Sequence, residues 1–128
     1  MKGYLLDTNI LIYYMADNLP PEELSKIEHI FESSFNVSII TKIEFLGWDK
    51  HSQHGFESAL DFISFSNVIP LEDEIADLAI SIRRKSRVRL PDAVIAASCL
   101  HHDLVLVTRN EKDFKDITGL EIYNPYNN

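Results

Sequence analysis

Leu90-Pro91-Asp92-Ala93-Val94-Ile95-Ala96-Ala97-Ser98-Cys99-Leu100, followed after His101-His102-Asp103 by Leu104-Val105-Leu106-Val107-Thr108, is the stretch that decides the fold. Pro91 suits the first turn of a helix, where its missing N–H leaves no hydrogen bond unmade. From Ala93 to Leu100 the residues are apolar or small on nearly every side, which predicts a buried helix. Leu104-Val105-Leu106-Val107 is then an unbroken apolar run. Such a strand is covered on both faces, as in a parallel sheet flanked by helices; a sheet with one wet face would alternate.

Outward from this pair, strands and helices take turns. Toward the C-terminus a short helix over residues 112–115 leads past Gly119 to a last strand over residues 121–123. Toward the N-terminus, Glu72-Asp73-Glu74 heads a helix with Ile75, Leu78, Ala79 and Ile82 on one stripe, and Val68-Ile69-Pro70-Leu71 is a short strand. One helix carries Phe56, Leu60, Phe62 and Ile63, and another spans residues 41–48. Asn36-Val37-Ser38-Ile39-Ile40 reads as a strand closed by Thr41. Pro20-Pro21-Glu22-Glu23 opens a helix, and Tyr4-Leu5-Leu6 is a strand running into a helix that starts at Asp7-Thr8-Asn9. The pattern predicts an α/β fold, a three-layer α/β/α sandwich with a mainly parallel central sheet, as one domain over residues 1–128. Right-handed crossovers bring the C-terminal ends of the strands to one edge, where such folds bind ligands.

Composition sets the outer bounds. A chain of 128 residues, 45% hydrophobic and 25% charged, has enough apolar material for one core. The lone cysteine, Cys99, excludes an internal disulfide and fits a reducing compartment. The first residues do not resemble a signal peptide, and the apolar runs fall short of the ~20 residues that span a bilayer, so the expected location is cytoplasmic, with no membrane association. A net charge of -8 disfavours nucleic acid over the surface at large. However, Arg83, Arg84, Lys85, Arg87 and Arg89 gather five of the twelve basic residues in one acid-free stretch. That stretch is a candidate contact for a phosphate backbone; cations that complement a helix C-terminus explain it equally well.

The predicted edge carries acids. Asp7 follows the first strand, Glu44 lies one helical turn after the second, Asp92 sits in the first turn of the buried helix, and Asp113 lies just past the strand ending at Val107. Each has a local alternative: Asp7 as a helix N-cap, Thr41…Glu44 and Asn110…Asp113 as capping boxes, Asp92 as a complement to its helix dipole. Together they say more, because Ser, Thr or Asn would cap as well as an acid. Converging carboxylates repel and raise one another's pKa unless a cation sits among them. An Asp and Glu set without His or Cys selects Mg²⁺ or Mn²⁺, and with them a phosphate ester as substrate.

The segments Asp7-Thr8-Asn9, Thr41-Lys42-Ile43-Glu44, Leu90-Pro91-Asp92-Ala93 and Val107-Thr108-Arg109-Asn110-Glu111-Lys112-Asp113-Phe114 resemble, in order and in separation, the motifs of the PIN domain. More narrowly they resemble VapC toxins, the ribonuclease half of type II toxin–antitoxin pairs. The resemblance implies a metal-dependent endoribonuclease whose products carry a 5′-phosphate and a 3′-hydroxyl. Asp7, Glu44 and Asp92 would be its acidic triad, holding Mg²⁺ or Mn²⁺. Many relatives have the fourth acid directly after the Thr-Arg pair, where this chain has Asn110; others have it three residues on, which matches Asp113. Asp113 is the expected fourth acid, with Thr108 and Asn110 in support. Thr8 and Asn9 would assist, by a hydroxyl toward a metal water or carboxylate and by orienting Asp7, although first-turn hydrogen bonding also accounts for them. The implied partners are an RNA substrate, held by Arg83, Arg84, Lys85, Arg87 and Arg89, and a cognate antitoxin. A second copy of the chain would pair through Tyr13, Tyr14, Met15, Phe45 and Trp48.

Other features point elsewhere with less force. His51, His54, His101 and His102 lack the further ligands of a zinc site, Cys99 lacks a base, and no glycine-rich phosphate loop is present. Trp48, Phe45, Tyr13 and Tyr14 read as core or interface, with base stacking as the alternative. Three other functions fit part of the pattern: a PIN-type nuclease in RNA processing or acting on DNA without an antitoxin, a catalytically silent module of the same fold, and a signalling receiver domain. A receiver needs an acidic pair on the first strand, where Asp7 stands alone, and a lone Asp on the third, whereas Asp92 begins a helix.

Overall fold

The computed structural model describes residues 2–126; Met1, Asn127 and Asn128, the ends of the expected domain, lie outside the described residues. The strands β1 (Gly3–Leu6), β2 (Asn36–Ser38), β3 (Asn67–Ile69), β4 (Leu104–Val107) and β5 (Ile122–Tyr123) form one sheet in the order β3-β2-β1-β4-β5. Every neighbouring pair is parallel. The decisive run Leu104-Val105-Leu106-Val107 is β4, paired with β1 over its whole length from Gly3↔Leu104 to Leu6↔Val107.

Side-chain alternation along these two strands divides the interior. Leu5 and Leu106 face one core, with Ile75 and Ala79 of α5 (Asp73–Lys85), the buried face of α6 (Leu90–His102) and Phe114 of α7 (Glu111–Phe114). Leu6 and Val107 face the other, with Ile10 and Leu11 of α1 (Thr8–Met15) and Ile27 and Ile30 of α2 (Pro21–Ser33). Phe45 of α3 (Ile39–Leu46) and Ala59 and Ile63 of α4 (Gln53–Ile63) complete that second core. The result is the predicted sandwich, with α6 buried along eight of its residues. Asp103, in the left-handed region at φ 55°, ends α6 and leaves His101 and His102 exposed. Among the described residues no helix is long and apolar enough to cross a membrane.

Two expectations change. The run Asn36-Val37-Ser38-Ile39-Ile40 is not one strand: β2 stops at Ser38, and Ile39 already belongs to α3. Ser38 has extended dihedrals and its Oγ accepts the Ile40 N–H at 3.1 Å, so an N-cap overrides the β-branched preference of the two isoleucines. The expected pairing surface also shrinks. Phe45 is fully buried, and Tyr14 packs among Phe31 and Phe62 with ring centroids 4.7 and 5.6 Å away.

The chain steps from β1 to β2 and β3 on one side, then crosses back to β4 on the other side of β1. The crevice beyond the C-terminal ends of β1 and β4 is therefore the switch point at which parallel α/β sheets bind ligands. Asp7 and Thr108 are the residues immediately past those two ends.

Candidate active site at the acidic edge

Asp7 is built into this crevice from both sides. Its N–H donates to the Val107 carbonyl at 2.9 Å, extending the β1–β4 ladder by one bond. It caps α1, one carboxylate oxygen accepting the Thr8 N–H at 2.8 Å. The other oxygen accepts the Thr108 hydroxyl, also at 2.8 Å. Thr108 is fully buried and its oxygen accepts the Asn110 N–H at 3.0 Å, which leaves its proton for Asp7. The capping reading of Asp7 is thus correct, and incomplete.

For Glu44 the capping box fails. Because α3 starts at Ile39 with Ser38 as its cap, Thr41 is inside the helix and Glu44 lies beyond its first turn. Glu44 instead accepts the Thr8 hydroxyl at 2.7 Å, and the Thr8 and Thr41 hydroxyl oxygens lie 3.1 Å apart. Thr41, fully buried, stands behind the Thr8 hydroxyl rather than in a cap. The second box also fails: Asn110 makes no side-chain cap to α7. Asp92 does sit in the first turn of α6, where Arg89 Nε donates to it at 3.5 Å.

Asp7, Glu44, Asp92 and Asp113 all line one cavity of about 240 Å³, together with Thr8, Asn9, Asn110, Arg89, Ile12 and Trp48. Thr108 stands behind Asp7 rather than in the cavity wall. Of the basic stretch, Arg89 alone reaches this cavity. Arg83, Arg84 and Lys85 occupy the last turn of α5 and Arg87 is exposed, so five cations within seven positions do not form one patch at the acids.

The carboxylates sense one another. Burial pushes Asp7 up to about 6, against the hydrogen bonds from Thr108 and Thr8, and the charges of Asp92 and Glu44 push the same way. Burial also raises Asp92; Arg89 opposes it, while Asp113 and Glu44 add to it. Among the described residues no three His, Cys, Asp or Glu side chains approach closely enough to make a ready cage. An open ring of oxygen donors without His or Cys suits a hard divalent ion that keeps several waters and uses one or two carboxylates, as Mg²⁺ does. The donor set fits that ion.

A parallel α/β domain with carboxylates from four separate segments at its switch point matches a known class. The PIN domain model matches residues 4–120, and the chain belongs to the PIN domain family. Among solved structures, a toxin–antitoxin complex from Klebsiella pneumoniae is similar at 31% identity and a TM-score of 0.79, over 97% of this chain and 98% of that one. DNA-bound VapBC from Salmonella typhimurium matches at 27% identity and a TM-score of 0.80, over 98% and 99% of the two chains. VapBC2 from Rickettsia felis, bound to a DNA fragment from its promoter, matches at 25% identity and a TM-score of 0.79, over 94% and 97%. A search of curated protein sequences finds no significant match.

Proposed function

We propose that this PIN domain is a Mg²⁺-dependent endoribonuclease, Mn²⁺ being the alternative ion, and the toxin of a toxin–antitoxin pair in the cytoplasm. The observation that carries the reading is Asp7. It is a buried carboxylate held at the switch point by two donors, with three more acids around the same cavity. Asp7 and Asp92, with Glu44 and Asp113, would hold the ion. Bound there, Mg²⁺ lowers the pKa of a water and offsets charge on a phosphate oxygen.

The chain's own residues prepare that chemistry. Thr108 and the Thr8 N–H fix the Asp7 carboxylate and favour its ionised form. The Thr8 hydroxyl fixes Glu44, and the bond from the Asn110 N–H to the Thr108 hydroxyl oxygen shapes the turn between β4 and Asp113. Arg89, at the cavity wall, is the cation placed to meet the substrate phosphate.

Partners follow from similarity and surface chemistry. The similar solved structures include a toxin–antitoxin complex and VapBC assemblies. An antitoxin that directs an Arg or Lys toward Asp7 and Asp92 would silence the cavity by occupying the cation's place. A second copy of the chain would pair over α5 and α6, where Leu71, Ile80 and Leu90 are about half exposed around an apolar groove of about 500 Å³. Asp73 and Glu74 at one end of α5 and Arg83 and Arg84 at the other suit two antiparallel copies.

Cleavage of a labelled single-stranded oligoribonucleotide, with product ends read by mass spectrometry, tests the enzyme. Cutting that EDTA abolishes and Mg²⁺ or Mn²⁺ restores is expected, with DNA of the same sequence spared. Cutting that EDTA leaves intact overturns the metal reading. Copurification with an upstream-encoded partner, and a dimer mass by light scattering, test the two assemblies.

A further inference from the structure

Trp48 has a place that neither core explains. It is the only tryptophan in the chain, it is half-buried, and it belongs to neither hydrophobic cluster. It lies just past the C-terminus of α3 and packs edge-on against the ring of His51, centroids 5.1 Å apart at 84°. His51 is itself fixed, its Nε2 donating to the Phe45 carbonyl at 2.7 Å, and Phe45 is fully buried. The indole is therefore anchored at one edge to the core. Beside it lies an apolar cavity of about 230 Å³ that includes Met15, Phe45, Lys50 and His51. Ile12 and Trp48 line both this cavity and the acidic one, so the two adjoin across these side chains, with the carboxylates in one and an aromatic wall in the other.

We infer that this aromatic-walled cavity is a subsite for an unpaired nucleobase flanking the phosphate to be cut. The inference rests on the nuclease reading and adds to it a determinant of substrate class. A phosphodiester at the acids carries a nucleoside on each side, and the cavity that adjoins the acids is walled by an anchored indole. Every base has a flat π-face that stacks on such a ring. Exposed Lys50, on the cavity wall, supplies a cation for the next phosphate. A base inside a duplex is already stacked on its neighbours and cannot enter, so single strands are selected over paired RNA.

A single tryptophan makes the test direct. The Asp7→Asn protein, which should not cut, is titrated with single-stranded oligoadenylate and oligouridylate and with a duplex of the two. Saturable quenching by the single strands, weak with the duplex, is expected. In the otherwise intact enzyme Trp48→Ala should raise KM roughly tenfold, the loss falling on KM rather than kcat, while Trp48→Phe keeps most of the affinity and guards against misfolding. Quenching without any cleavage by wild type would keep the subsite and overturn the nuclease. Cleavage by wild type with unchanged fluorescence, or an unchanged KM in Trp48→Ala, would overturn the subsite alone. A response only to an antitoxin peptide would likewise overturn it, assigning the cavity to a protein partner.

Discussion

The acidic edge and the basic stretch are opposites in how sequence becomes surface. Asp7, Glu44, Asp92 and Asp113 lie on four segments spread over the chain, yet the β1–β4 switch point gathers them around one cavity. Arg83, Arg84, Lys85, Arg87 and Arg89 lie within seven positions, yet the fold scatters them. Arg83 and Arg84 border the apolar groove of α5 and α6, Lys85 lines cavities on other parts of α5, and Arg89 alone turns to the acids. Topology concentrates charge where strand ends converge, whereas a helix spreads neighbours around its axis and a turn carries the rest away. The acids, despite the net charge, are the concentrated feature.

The largest expected effect breaks the concentrated side. Asp7→Asn should lower Mg²⁺-dependent RNA cleavage at least a hundredfold, since metal-assisted stabilisation is worth several kcal/mol of barrier. Asn still offers a carbonyl oxygen to the Thr8 N–H, so the cap of α1 survives and the loss cannot be laid to unfolding. Normal cleavage by this variant would separate the acidic cavity from the chemistry.

Stability against pH sharpens the same point. Burial pushes the Asp7 carboxyl up to about 6 in the folded state from an ordinary 3.8, so folding retains its proton and ionisation weighs against the fold. The metal-free protein should lose stability as pH rises through this window. The Asp7 contribution, about 3 kcal/mol from the shift, should be fully expressed above about pH 6. Asp7→Asn removes that penalty and should melt higher than wild type at neutral pH without metal. Mg²⁺ should raise wild-type melting more than that of the variant, since a ligand bound only by the native state stabilises it by mass action. Calorimetry with EDTA and with Mg²⁺ reads both effects, and a variant that melts below wild type in EDTA would contradict them.

The two sides were not equally readable in the sequence. An Asp directly after an apolar strand, and another in the first turn of a buried helix, occupy positions that the α/β pattern itself sends to one edge, so Asp7 and Asp92 could be placed from local order. Glu44, expected at the edge from its place one turn after the second strand, lines the same cavity, and its competing reading as part of a local cap is the one the structure replaces. Its hydroxyl partner is Thr8, 36 positions away, not Thr41 in a local cap. The bond from Thr108 to Asp7 spans 101 positions and has no local signature. The boundary at Ser38 was missed because isoleucine favours strands, while one serine hydroxyl decides the helix start. Trp48 reads from the sequence as core or interface, with base stacking as the alternative; only the run of the chain past Gly47 shows it standing outside both cores.

Thr108→Val tests that long-range bond. It removes the donor to Asp7 and the acceptor for the Asn110 N–H in a fully buried place, so it should cost about 1–3 kcal/mol of stability. Because the Thr108 bond lowers the Asp7 pKa, its loss should also move the acid limb of the pH–rate profile to higher pH. A destabilised enzyme with an unmoved profile would make Thr108 a packing residue only.

The smallest effect probes the scattered side. Arg89 donates to Asp92 at 3.5 Å from a largely exposed position at the cavity wall. Arg89→Gln should therefore raise KM for RNA a few-fold and flatten the dependence of log affinity on log salt by about 0.7, the share of one phosphate contact on a single strand. It should also move the acid limb of the pH–rate profile upward, because Arg89 opposes the rise in the Asp92 pKa. Arg83→Gln and Arg84→Gln border a different, apolar cavity and should leave both readouts where they are while weakening self-association. The controls matter as much as the variant. If all three substitutions flatten the salt dependence equally, the substrate runs across α5 as well as the acidic edge, and the basic stretch acts as one surface despite its geometry. If only Arg89→Gln does so, closeness in sequence carried no functional meaning here, and the cation that matters is the one the start of α6 turns toward Asp92.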